Sequence, residues 1–152
     1  MRILKIFAVL ALAASILNIS GCKEKEPEAL PEPGDFSGLL RCLYNEVWYD
    51  NPGIKATVNI AEDGQSADIS IYQIKFVPDM PVTVNVTIPG AGLNVRGSSY
   101  LISGEGIVPT MDNGTPVARY IVTGLSGELR GDKLRMSLNF GSFPTVYEAE
   151  RL

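Results

Sequence analysis

The residue types available for catalysis are few. The 152-residue chain contains no histidine, which removes Ser-His and Cys-His nucleophile pairs, an imidazole general base and any His-ligated metal. Hydrolysis by carboxylates needs two of them across a cleft. Glu105, Asp112, Glu128 and Asp132 fall instead at turns and strand ends, where acidic residues sit for solvation. Asp63, Asp79, Asp112 and Asp132 are too widely spaced for a calcium loop, which needs several oxygen ligands close together. Cys42 lies in an apolar stretch and reads as a small buried hydrophobe. Arg41, the neighbour that would lower its pKa, points to the opposite face of a strand. The sequence therefore implies no catalytic set, no metal and no cofactor. What it offers for binding is aromatic: Tyr44, Trp48, Tyr49 and Tyr72 cluster early. Such rings either rim an opening for a ligand or glycan, or cap a core.

These side chains must be positioned by strands. From Phe36 onward the apolar residues alternate with period two, the pattern of half-buried antiparallel strands. Ile54, Ala56, Val58 and Ile60 alternate with Lys55, Thr57 and Asn59, and Leu134, Met136, Leu138 and Phe140 with Lys133, Arg135, Ser137 and Asn139. Asn51-Pro52-Gly53, Asp63-Gly64, Asp112-Asn113-Gly114 and Gly131-Asp132 place Gly, Asn or Asp where a hairpin needs positive φ. The expected strands are 36–49, 54–61, 67–76, 82–89, 93–104 with a break near Gly97, 117–129, 133–141 and 145–151. In the third, apolar parity changes from Ile69 and Ile71 to Ile74 and Phe76, as a β-bulge produces.

Eight consecutive antiparallel strands with two open edges invite aggregation, and closure into a single up-and-down barrel removes both. A two-sheet sandwich fits the same alternation, but its crossovers need longer connections than most of these. An eight-stranded barrel is either filled by its side chains or holds one small ligand. Ile54, Val58, Ile60, Val84, Val86, Met136, Leu138 and Phe140 should point inward, and Gly38, Ala56 and Gly127 take up little volume there. Both a filled core and a modest apolar cavity are compatible with that set. Tyr44, Trp48, Tyr72, Met136 and Phe140 are the candidate ligand-binding residues.

The N-terminus carries an address. Arg2 and Lys5 precede an apolar run from Ile6 to Leu17, too short to span a bilayer as a helix and readable as a signal peptide. The run ends in Leu17-Asn18-Ile19-Ser20-Gly21-Cys22, which resembles the lipobox of bacterial lipoproteins. The resemblance implies cleavage after residue 21, acylation of Cys22 and a stable membrane attachment, since two or more acyl chains hold where one does not. Residues 22–35, rich in Pro and Glu, read as an extended tether, and 36–152 as the barrel domain. In the lipoproteins that the chain resembles, an Asp after the Cys favours inner-membrane retention, so Lys23 in that place implies the outer membrane. The Lys23-Glu24-Lys25-Glu26 cluster is similar to the surface-export signal of Bacteroidetes-type lipoproteins, or simply solvates the spacer, so the periplasmic and cell-surface faces both stay open.

Phe36-Ser37-Gly38-Leu39-Leu40, the stretch Ile74-Lys75-Phe76-Val77-Pro78-Asp79-Met80-Pro81-Val82 running to Ile88-Pro89-Gly90, and Leu125-Ser126-Gly127-Glu128-Leu129 together resemble the calycin-like β-barrel domain of Bacteroidetes-type lipoproteins, distantly related to lipocalins. That family implies a small closed barrel and no established activity. True lipocalins carry Gly-x-Trp on the first strand; here Gly38 is followed by Leu39 and Leu40, and Trp48 lies ten residues on. A formal charge of −4 with 13 Lys and Arg excludes a nucleic-acid surface. Two functional expectations follow: a non-catalytic outer-membrane lipoprotein whose barrel binds a small apolar or amphipathic ligand, or an accessory module with a filled barrel that docks on a partner protein or an envelope glycan. Arg130-Gly131-Asp132 matches an integrin-recognition tripeptide at an expected hairpin tip, where Gly-Asp also occurs for backbone reasons alone.

Overall fold

The computed structural model describes residues 29–152. The expected signal peptide, Cys22 and the first half of the tether (22–28) lie outside the described residues; of its second half, Gly34 and Asp35 already belong to the first strand. The remainder forms a closed antiparallel barrel in which every strand pairs with its sequence neighbours and the last returns to the first. The strands are β1 (Gly34–Tyr44), β2 (Val47–Ile60), β3 (Ser66–Ile74), β4 (Val84–Arg96), β5 (Ser99–Gly104), β6 (Val122–Arg130), β7 (Lys133–Phe140) and β8 (Phe143–Arg151). A 3₁₀ turn at Ala118–Tyr120 precedes β6. Closure is made by β1 against β8, from Phe36 opposite Arg151 to Cys42 opposite Thr145. The sandwich is thereby excluded.

The alternation has its expected consequence. Phe36, Leu40, Ile69, Ile71, Ile88, Leu129, Leu134 and Tyr147 are buried inside. Of the residues expected inward, Ile54, Ala56, Val58, Val86, Met136, Leu138 and Phe140 are buried, while Ile60 and Val84 pack half-buried on the core.

Several boundaries differ from expectation. Asn51-Pro52-Gly53 is not a hairpin turn; β2 runs through it, and the β1–β2 turn lies at Asn45 and Glu46, with φ of 49° and 64°. Likewise Pro89-Gly90 lies within β4, and the break near Gly97 is the β4–β5 hairpin itself. The physical reason is shared. In a small barrel the strands must coil sharply, and a Gly at positive φ placed in a strand makes a bulge that bends it. Gly38 pairs with Ile54 and Leu40 with Asn51, so β2 carries one extra residue against β1, with Gly53 at φ 66°. Gly90, at φ 65°, does the same in β4 against β3. In β6, Gly124 at φ 59° makes a third such bulge against β7. The parity change in β3 is also a bulge, where Tyr72 and Gln73 together oppose Asn85. Its left-handed residue is Gln73, at φ 59°.

Strand alternation sorts the connections into two ends. The upper end carries the β1–β2 turn, the β3–β4 and β5–β6 connections and the β7–β8 turn. Chain entry, the C-terminus and the other three turns lie at the lower end. The long β5–β6 connection is itself built into the sheet: Thr110 exchanges two backbone hydrogen bonds with Thr87 of β4, at 2.8 and 2.9 Å, continuing the pairing that the short β5 leaves off. That is why β6 starts at Val122 rather than near residue 117.

Candidate functional site

Inside the barrel the side chains meet. Met136 is 2% exposed and Phe140 0%. Met136 lies opposite Gly127 on one side and Tyr147 on the other, so the glycine's missing volume is occupied by its larger neighbours. The upper end is closed by rings. Phe76, in the β3–β4 connection, stacks on Tyr120 at 4.5 Å and on Phe143 at 5.3 Å, and meets Phe140 edge-on at 5.3 Å. Tyr44 extends this cluster to the rim, 6.4 Å from both Phe143 and Tyr49. The lower end is covered by the chain before β1. Leu30 packs on the core and Pro31 is buried. Arg151 holds this segment, donating to the carbonyls of Glu32 (2.9 Å) and Pro33 (3.3 Å) with its guanidinium over the Phe36 ring at 4.8 Å.

The five candidate residues thus occupy different environments. Phe140 and Tyr44 join one aromatic cluster, Met136 lies deeper in the core, and Trp48 and Tyr72 are on the outer wall. Trp48 pairs across the hairpin with Leu43 and is 46% exposed, next to Val47 at 50%. Tyr72 lies against β2, its hydroxyl donating to Thr57 Oγ1 at 3.2 Å while Thr57 donates to Asp35 Oδ1 at 2.8 Å.

Tyr72 also lines a depression. The β2–β3 ladder runs only from Ile60 opposite Ala67 to Ala56 opposite Ile71, although both strands continue upward. Above it the strands part, because each carries a bulge there. They are rejoined by Asn51, whose side chain donates to the Lys75 carbonyl at 3.1 Å and accepts from the Lys75 N–H at 3.3 Å. Over this opened seam lies a cleft of about 320 Å³ lined by Gly53, Lys55, Tyr72, Gln73 and Asn85. Asn85 is fixed from two sides: its Oδ1 accepts from the Gln73 N–H and its Nδ2 donates to Asp112 Oδ2, both at 2.8 Å. Apart from Tyr72, sequence reasoning missed these residues. The signals were present in the Pro52-Gly53 pair and in the β3 parity change, which mark two bulges at one height.

Two remaining motifs have structural settings. Cys42 is buried with Thr145 Oγ1 3.8 Å from its sulfur, and burial pushes the thiol up to about 11 from an ordinary 9.0, away from nucleophilic reactivity. Arg130-Gly131-Asp132 spans the β6–β7 turn at the lower end, where Asp132 is ion-paired with Arg151 at 3.3 Å although 83% exposed. Among the described residues no group of three or more Cys, Asp or Glu could hold a metal, and no helix is long and apolar enough to cross a membrane.

No family model, curated protein or solved structure matches this chain.

Proposed function

We propose that the chain is a non-catalytic, calycin-like lipoprotein, held at the outer membrane through acylated Cys22, that works through the outside of a filled barrel as an accessory module docking on an envelope glycan. The observation that carries this reading is the disposition of its rings and sulfur: Met136 and Phe140 are packed among core neighbours, whereas Trp48 and Tyr72 stand on the outer wall. A ligand in the interior would have to displace close-packed side chains, at a cost that a pre-formed pocket does not carry. Aromatic rings with one face free suit the alternating apolar and hydroxylated surface of a sugar. The address comes from the Leu17-to-Cys22 motif.

The test uses the full chain carrying Cys22→Ser, which cannot be acylated. It should co-sediment with insoluble envelope polysaccharide stripped of protein, and Trp48, the chain's single tryptophan, should report binding by a change in emission. Trp48→Ala should weaken the interaction about fivefold. A chain that stays in the supernatant, or that sediments only when envelope protein is left in place, overturns the glycan reading. A reproducible excess mass in native mass spectrometry, lost on denaturation and replaced by added fatty acid, bile salt or haem, would restore the barrel interior as the binding site.

A further inference from the structure

Gln73 stands apart from the other bulge residues of this barrel. Four left-handed residues make the bulges that bend this barrel: Gly53, Gln73, Gly90 and Gly124. Glycine adopts that conformation freely, whereas a residue with a Cβ is strained by it. Strain of this kind, held in place by its surroundings, concentrates where a side chain is needed. Here the holding group is Asn85, whose carbonyl oxygen takes the Gln73 N–H and whose amide is in turn fixed by Asp112. The Gln73 side chain lines the opened seam between β2 and β3.

The rest of the lining is similarly arranged. Tyr72 is pinned to the wall through Thr57 and Asp35. Gly53 faces open space, with nothing within 4 Å of where a Cβ would stand. The two carboxylates to which the hydrogen bonds of this region lead, Asp35 and Asp112, are both engaged as acceptors, by Thr57 and Asn85. Lys55, exposed and directed outward from β2, has no ion-pair partner among the described residues. A volume of about 320 Å³ lies at the small end of the range for small-molecule sites.

We propose that this cleft binds a carboxylate-bearing sugar, with Lys55 as counter-ion to the carboxylate, the Gln73 amide hydrogen-bonded to ring hydroxyls and Tyr72 as the wall beneath. The site rests on the surface-glycan reading above and names the class of sugar. An ammonium and a neutral amide with free donors recognise an anion flanked by hydroxyls, and the charge-assisted bond supplies the preference for the acid over the neutral sugar. Tyr72 and Asn85, already held by partners outside the cleft, lose little freedom on binding, which favours a small ligand.

The probes are glucuronic acid, glucose and acetate, titrated into the isotope-labelled full chain carrying Cys22→Ser and followed by amide chemical shifts. Glucuronic acid should move the signals of Gly53, Lys55, Gln73 and Asn85 saturably, at least about tenfold more tightly than glucose. Lys55→Gln should remove most of that difference and Lys55→Arg should keep it. Gln73→Gly should raise the melting temperature by relieving strain and yet weaken binding, a combination that a purely structural role does not produce. The proposal is overturned if glucuronic acid and glucose bind alike, if acetate binds as tightly as glucuronic acid, if the shifts map to Trp48 instead, or if Gln73→Gly leaves binding unchanged. Should it fail while polysaccharide still sediments the chain, the surface reading survives without this site; should sedimentation fail too, both fall.

Discussion

Tyr147 shows how one side chain reconciles a bulge with a dry core. It is wholly buried, and its hydroxyl donates to the Ile54 carbonyl at 2.7 Å, beside the extra residue that β2 carries against β1. Burial holds the phenol well above its ordinary range. Tyr147→Phe keeps the ring and its packing but leaves that carbonyl without its phenol donor, so it should cost about 1–3 kcal/mol in urea denaturation; an unchanged midpoint would show that the bond is dispensable. Cys42 makes the complementary case. Its thiol keeps its proton to about pH 11 in the fold against 9.0 in the open chain, so its contribution to stability is complete below pH 9 and lost as pH rises through 11. In the Cys22→Ser chain a thiol reagent at pH 8 should therefore modify Cys42 only as fast as the protein unfolds. Rapid modification under native conditions would contradict the burial.

Among the elements, the hairpins and bulges separate what a local pattern reveals from what it conceals. Asn45 and Glu46 both adopt positive φ, the geometry of a two-residue turn matched to strand twist, yet the second position holds Glu rather than the favoured Gly. Asn45 alone is a weak signal without a Gly after it, whereas Asn51-Pro52-Gly53 announces a turn that the chain does not make. Glu46→Gly should stabilise the fold by about 1 kcal/mol, seen as a higher denaturation midpoint, because the left-handed position then carries no Cβ. A lower midpoint would mean that the Glu46 side chain has a compensating role. The candidate site shares this partial legibility. Tyr72 was visible as one of an aromatic set, but its neighbours Lys55 and Asn85 read as ordinary outward strand residues, and only the opposition of two bulges separates the strands above them.

At the level of the whole molecule, the decisive event is closure of β1 onto β8, which leaves no strand edge unpaired at that seam. Gly38 permits it. A Cβ there would collide with the Glu148 carbonyl oxygen and stand 2.5 Å from the Ala149 Cα. Gly38→Ala should thus lower stability by about 1–3 kcal/mol and depress the melting temperature by several degrees; a silent substitution would mean that the closing seam yields more easily than its packing implies. With the seam shut, the ends become covers: the Phe76 ring cluster above, and Leu30 with Pro31 below, held by Arg151. The same Arg151 takes Asp132 as an ion-pair partner, so the Arg-Gly-Asp turn belongs to the arrangement that ties down the chain before β1.

Period-two alternation is a property of the chain alone, because successive side chains of a strand point to opposite faces whatever the partner. Strand number, the inward set from Ile54 to Phe140 and the β3 bulge were legible for that reason, while the closed sheet followed from the short connections and the hazard of open edges. Whether Pro-Gly makes a turn or a bulge, whether the space at Gly38 and Gly127 stays empty, and which outward residues share a cleft are relations between strands distant in sequence. They were settled only when β8 returned to β1 and the bulges of β2 and β3 came to the same height, for there the packing of one strand fixes the room left to the next.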